Sequence, residues 1–190
     1  MDEPAKSPRN AEATADRIVL AAQKIFHQKG YDGATTREIA DLAGINLTLI
    51  NRYFGSKLGL FEKAVLPHLD LEPLLKGTPD DVAKRLAELY VDTGPKEGFD
   101  AFVVLVRSIA SKDAGPLLMA RLQDHALEPL MNILEGPNKL ARATLISTQL
   151  AGLVLRFRIM SQLLIDDHEQ AEMKRLLATQ LHTILAAGED

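Results

Sequence analysis

Cysteine and tryptophan are absent from the 190 residues, and aromatic residues make up only 5% of them. Without cysteine there is no disulfide framework, no thiolate metal site and no cysteine nucleophile, which fits a reducing compartment, and a cytoplasmic protein is expected. Long apolar runs are missing too. The most apolar stretch, residues 145–155, is interrupted by Ser147, Thr148, Gln149 and Gly152, well short of the roughly eighteen apolar residues that a membrane span needs, so no membrane partner is expected. The opening residues are mixed in charge and hold Pro4 and Pro8. They lack the apolar centre of a signal peptide, and residues 1–14 are expected to form a flexible tail. No glycine loop for phosphates, HExxH or Gly-x-Ser-x-Gly pattern occurs, so neither an enzyme nor a cofactor is expected. Asp166, Asp167, His168 and Glu169 are the one dense run of metal-ligand types. Helix-capping acids explain it, and no metal is expected.

What is present is helical periodicity almost throughout, with glycine and proline at the breaks, which predicts an all-α fold. A first helix is predicted from about Ala15 to Lys29, with Ile18, Ala22, Ile25 and Phe26 as its stripe and Gly30 closing it. Thr35 and Glu38 form the pattern of a capping box ahead of a short helix from Thr36 to Ala43. Gly44 ends that helix, and another starts near Leu47. Two small helices joined by so short a glycine-bearing turn make a helix-turn-helix. Gly55 stops the second, and Ser56 caps a fourth helix containing Leu60, Phe61, Ala64 and Val65. Beyond a break at Pro67 and Pro73, Thr78-Pro79-Asp80-Asp81 is a strong helix start. Further helices are predicted over 99–111, from Gly115 with a bend at Pro129, from Asn138 to about Ile165, and a last one capped by Asp167.

The net charge of -4 is unevenly spread: residues 17–66 hold seven Lys or Arg against four Asp or Glu, a local net of +3, which leaves -7 for the rest. A relatively basic module suits phosphate contacts, because counterion release favours local cations whatever the total. In the segment NLTLINRYFGSK, residues 46–57, Ile50 and Phe54 are spaced to anchor a short helix. That leaves Leu47, Thr48, Asn51, Arg52 and Tyr53 for the outer surface. Asn pairs with adenine edges, Arg with guanine or phosphate, Thr and Leu meet the thymine methyl, and Tyr donates to phosphate. Lys57 and Thr36 fall at helix N-termini, where backbone N–H groups favour phosphate. Double-stranded DNA is the partner these residues predict.

The same residues resemble the TetR-type (TetR/AcrR) transcriptional regulators. The likeness runs through RIVLAAQKIFHQKGY, TTREIADLAGI and RYFGSK, between about Arg17 and Val65. It implies a three-helix DNA-binding domain over residues 15–66 and a larger helical ligand-binding and dimerisation domain over 67–190. It also implies a homodimer through the last two helices. By position the family's DNA contacts fall on Thr36, Arg37, Leu47, Thr48, Asn51, Arg52, Tyr53 and Lys57. Two residues depart from the pattern, with Asn51 where tyrosine is usual and Thr48 where glycine is frequent. Both add hydrogen-bonding groups and leave the preferred bases open.

The apolar residues of 138–165, among them Leu140, Ala143, Leu150, Ala151, Val154 and Phe157, occupy more than one stripe, so one face is available to a second subunit. Phe99, Phe102, Met119, His125, Phe157 and Met160 are candidates to line a cavity for a small apolar or amphipathic effector, with His125 and Arg156 as polar guides. The expected function is a sequence-specific DNA-binding regulator on a palindromic operator, a ligand-responsive repressor being the family's commonest case. The alternatives are a helical carrier or enzyme with an unused helix-turn-helix, and a regulator that needs no ligand.

Overall fold

The computed structural model describes residues 8–91, 98–160 and 165–188, and among these every regular element is helical. They fall into two compact units: residues 8–68 with 98–117, and residues 69–91 with 118–160 and 165–188.

The first unit begins with α1 (Pro8–Gly33), followed by α2 (Thr36–Ala43), α3 (Thr48–Phe54) and α4 (Lys57–Val65). Helix α1 starts earlier than Ala15, so residues 8–14 belong to a helix rather than a tail, and residues 1–7 lie outside the described residues. Buried Thr14 shows why: the first turns already pack against the domain. Gly30 breaks the helical path as expected, with φ 67° and ψ -175°, but a further turn carries the element to Gly33. The nucleus of this unit is aromatic. Phe61 sits edge-on to Phe26 at 5.0 Å and to Tyr31 at 5.2 Å between centroids, and all three are buried. Gln23 of α1 ties the same core to α4, donating to the Ala64 carbonyl at 3.0 Å.

Helix α6 (Ala101–Ser108) joins this unit, although residues 67–190 were expected to form one domain. Its ties to α1 are hydrogen bonds across nearly eighty residues. The Tyr31 N–H donates to Ser108 Oγ at 3.0 Å, the Ser111 hydroxyl donates to Asp32 at 2.8 Å, and Arg107 Nη1 donates to the His27 carbonyl at 2.6 Å. The helix begins at Ala101, not Phe99, because the extended Asp100 caps it by accepting from Phe102 N–H at 2.9 Å.

In the second unit α5 (Pro79–Tyr90) packs on α10 (Asp167–Ala186), and α9 (Lys139–Val154) lies against both. Helix α7 (Ala114–Leu122) runs into a π-helical turn at Gln123–Leu127 and then α8 (Glu128–Ile133), so the bend lies just before Pro129. Helix α9 likewise passes into a π turn at Leu155–Ile159. The long helix therefore ends short of Ile165, and residues 161–164 lie outside the described ones. Asp166, not Asp167, caps α10: its extended backbone lets the carboxylate accept from Glu169 N–H at 2.8 Å, which makes Asp167 the first helical residue. Buried Arg142 of α9 holds the far end of α10, donating to the Ile184 and Leu185 carbonyls at 2.8 Å each and to Glu135 at 2.6 Å. A guanidinium there opposes the negative end of the helix dipole. No helix of the described residues is long and apolar enough to cross a membrane.

Candidate nucleic-acid interface

Local chemistry builds the helix-turn-helix. Thr35 accepts from Glu38 N–H at 3.2 Å while the Glu38 carboxylate accepts from Thr35 N–H at 3.1 Å, closing the predicted capping box on α2. Lys29 of α1 pairs with the same carboxylate. Those hydrogen bonds, the one from Lys29 foremost and then those from Thr35, hold the Glu38 carboxyl down at about 2. At the other end Gly44 adopts φ 63° and ψ 43°, and its N–H and that of Ile45 return to the Asp41 and Ala40 carbonyls at 3.1 and 3.0 Å. Glycine meets that left-handed backbone without a Cβ penalty, and the chain reverses within four residues.

Helix α3 is then held by one face. Ile50 is 0% exposed and Phe54 is half-buried, whereas Leu47, Thr48, Asn51 and Arg52 are exposed and Tyr53 is half-exposed. Residues 48, 51 and 52 are three and four apart, so they share a face of the helix. Gly59 of α4 permits the close packing behind: a Cβ there would stand 2.2 Å from the Phe54 carbonyl oxygen. The start of α3 carries a cap that sequence reasoning missed. Asn46 Oδ1 accepts from Thr48 N–H at 2.9 Å and from the Thr48 hydroxyl at 2.8 Å. The signal was present, since an Asx residue two positions before a helical threonine is a common local hydrogen-bonding pattern.

Thr36 and Arg37 occupy the first turn of α2, with Arg37 exposed. Lys57 is the first residue of α4, behind Ser56, whose Oγ accepts from Gly59 N–H at 3.0 Å. The Lys57 ammonium rests 4.3 Å from the centroid of the Tyr31 ring. Burial lowers its pKa, against the pull of Asp32 and Asp113. The buried tyrosine thus aims a half-buried cation, a second feature that the sequence reading lacked. All eight predicted contact residues lie in one compact unit, and none of them is buried.

The seven candidate effector residues are divided. Phe99 and Phe102 belong to the first unit, where the Phe99 ring stands 5.2 Å edge-on to His68. Met119, His125, Arg156, Phe157 and Met160 belong to the second. There Phe157 is buried, His125 and Arg156 are half-buried in the two π turns, and Met119 and Met160 are more than half exposed. The His125 carbonyl accepts from Leu71 N–H at 3.0 Å, and buried Arg156 Nη2 has no hydrogen-bond partner among the described residues. A groove of about 670 Å³ between α5 and α10 is lined instead by charged and polar groups, among them Asp80, Lys84, Glu88, Gln170, Lys174 and His182, and by none of these seven.

Similar proteins carry the same parts. The family model described as bacterial regulatory proteins, tetR family, matches residues 18–64, and the one described as the tetracyclin repressor-like C-terminal domain matches residues 80–185. The HTH-type transcriptional repressor BdcR of Escherichia coli is 36% identical over 90 residues, 42% of this chain and 46% of that protein. The repressor NicS of Pseudomonas putida is 41% identical over 61 residues, 32% of this chain and 28% of that one. Each of these matches spans less than half of the curated relative. Among solved structures, NalD of Pseudomonas aeruginosa, the secondary repressor of a multidrug efflux pump, superposes with a TM-score of 0.67 at 18% identity, covering 88% of this chain and 95% of that one. CifR complexed with a 26-bp operator DNA gives 0.65 at 18% identity, covering 98% and 100%. At such identities these likenesses establish the fold. The C-terminal match alone takes in more than half of the residues, and the chain belongs to the tetR family of bacterial regulatory proteins.

Proposed function

We propose that the protein is a cytoplasmic, non-enzymatic transcriptional regulator, a ligand-responsive repressor, which binds a palindromic operator as a homodimer. The observation that carries this reading is the outward face of α3, where Thr48, Asn51 and Arg52 stand exposed on a helix fixed from behind by Ile50. Leu47 and Tyr53 flank them, and Thr36, Arg37 and Lys57 supply contacts to phosphate. Two such helices one helical turn apart gain effective concentration on a symmetric site. The relatives named as repressors and the operator complex of CifR favour the same role.

Dimerisation is assigned to α9 and α10. Leu140 and Leu145 on α9, Leu155 at the start of the π turn that continues it, and Leu176 on α10 are between 43 and 60% exposed. Apolar residues left in water along two adjacent helices favour a second copy packed across them. The effector is assigned to the second unit around His125, Arg156 and Phe157, with Met119 and Met160 at its margin. An amphipathic molecule suits that set, because buried Phe157 takes apolar surface and the unpartnered Arg156 Nη2 wants an acceptor. Binding would favour a spacing of the two α3 helices that no longer fits successive grooves.

A gel shift on DNA flanking the protein's own gene, with salt titrated, tests the reading: affinity falls steeply with rising salt. Arg52→Ala weakens that binding while dimerisation and melting stay nearly unchanged. A variant that still binds at full strength removes Arg52 from the interface.

A further inference from the structure

Thr48 is exposed at the first position of α3, and its hydroxyl is not free to choose a role. The Thr48 backbone N–H lies 2.9 Å from Asn46 Oδ1. An N–H only donates, so the amide atom facing it is the carbonyl oxygen and not the nitrogen, which fixes the orientation of the Asn46 side chain. The Thr48 hydroxyl lies 2.8 Å from that same oxygen. A carbonyl oxygen has no hydrogen to give, so the hydroxyl proton points at Asn46 and only lone pairs remain for anything approaching from outside. Both bonds span two residues of local chain, so neither depends on a contact from a distant part of the sequence.

We propose that Asn46 sets Thr48 as an obligate acceptor, so that Thr48 selects the exocyclic amine of adenine or cytosine in the major groove. The inference rests on the proposed placement of Thr48 at the DNA. In that groove adenine N6 and cytosine N4 are the donors, while guanine O6 and N7, thymine O4 and adenine N7 accept. Phosphate oxygens also accept only, so the anchored hydroxyl has no partner on the backbone. Asn46 touches no base in this scheme and acts as a positioning residue through Thr48.

The test couples protein variants to single functional groups on DNA. A site is selected from a randomised duplex pool with the full-length wild-type chain, and duplexes are then made in which purine replaces one adenine or 2-pyrimidinone replaces one cytosine, deleting the amine. At one position per half-site the deletion lowers wild-type affinity about tenfold and leaves the affinity of Thr48→Val unchanged. Asn46→Ala releases the hydroxyl and shrinks the penalty at that position; Asn46→Asp keeps an acceptor oxygen and retains the penalty, at lower overall affinity from the added negative charge. Thr48→Val, at an exposed position, should melt with the wild type, whereas Asn46→Ala also loses the cap on α3 and should melt somewhat lower, so its penalty is read well below the transition. The proposal is overturned if no amine deletion couples to Thr48, if Thr48 couples instead to a 7-deazapurine substitution, or if Asn46→Ala leaves the coupling intact. A wild-type chain that enriches no duplex at all removes the DNA-binding reading itself, an outcome separate from enrichment without coupling.

Discussion

The two units treat their surfaces in opposite ways. The first encloses an aromatic nucleus of Phe26, Tyr31 and Phe61 and, among its described residues, leaves Leu20, Leu42 and Leu47 as exposed large apolar residues, beside the polar outer face of α3. Among its described residues the second leaves seven such residues uncovered, from Met119 and Ile133 to Leu155, Met160 and Leu176, and contains two π turns. A polar face with cations suits a hydrated, charged partner such as DNA, because it costs little to leave in water. Uncovered leucines suit another protein surface, where burying them is favourable. The contrast teaches that the first unit buries its apolar side chains within one chain more completely than the second does, and the proposed dimer accounts for the difference.

The sharpest way to break this comparison is to open the nucleus. Phe61→Ala removes a fully buried ring that touches two others, and should cost about 3–5 kcal/mol. Chemical denaturation should show that loss, with DNA binding falling alongside it. Leu145→Glu attacks the other unit from outside. At 60% exposure the side chain makes little contribution within one chain. Burying a leucine is worth about 1.5–3 kcal/mol, so the dimer should weaken roughly tenfold or more while the monomer's helicity is kept. Sedimentation at graded concentrations checks this, and an unchanged mass would place the interface elsewhere.

Smaller effects probe the reading unit's caps. Thr35→Ala deletes one half of the capping box on α2 and should cost about 1 kcal/mol, read as a lower midpoint in urea. The Glu38 carboxyl, held at about 2 chiefly by its hydrogen bond from Lys29, contributes stability only while it is ionised. A carboxyl of depressed pKa stabilises fully above its unfolded value near 4.5 and loses that contribution as pH falls towards 2. The stability difference between wild type and Glu38→Gln should therefore be level above that value and shrink as the solution is acidified. Because the carboxylate lies at the surface in contact with water, the difference is small and should fall further with salt. A difference that grows on acidification would contradict the assignment.

Legibility followed the range of the interaction. Thr35 with Glu38, Ser56 with Gly59 and Thr78 with Asp81 are bonds over three residues, and each stood in the sequence as a pattern before any coordinates. The exposed face of α3 was legible for the same reason, since Ile50 and Phe54 fix which side of a seven-residue helix turns inward. Local patterns also misled by one position where two equivalent residues compete, as Asp166 and Asp167 do for the cap of α10. The π turns were invisible, because one extra residue in a turn leaves the apolar spacing nearly intact.

Chain chemistry alone settled the helical class, the short helix-turn-helix and the outward set of Thr48, Asn51 and Arg52, all of which follow from periodicity and caps acting within about four residues. Tertiary structure alone decided that α6 joins the first unit, where Arg107, Ser108 and Ser111 meet His27, Tyr31 and Asp32. It alone placed Tyr31 under the Lys57 ammonium and Arg142 at the end of α10. The physical reason is distance along the chain: a hydrogen bond between residues some eighty positions apart leaves no periodic trace, since either partner alone is an ordinary polar residue.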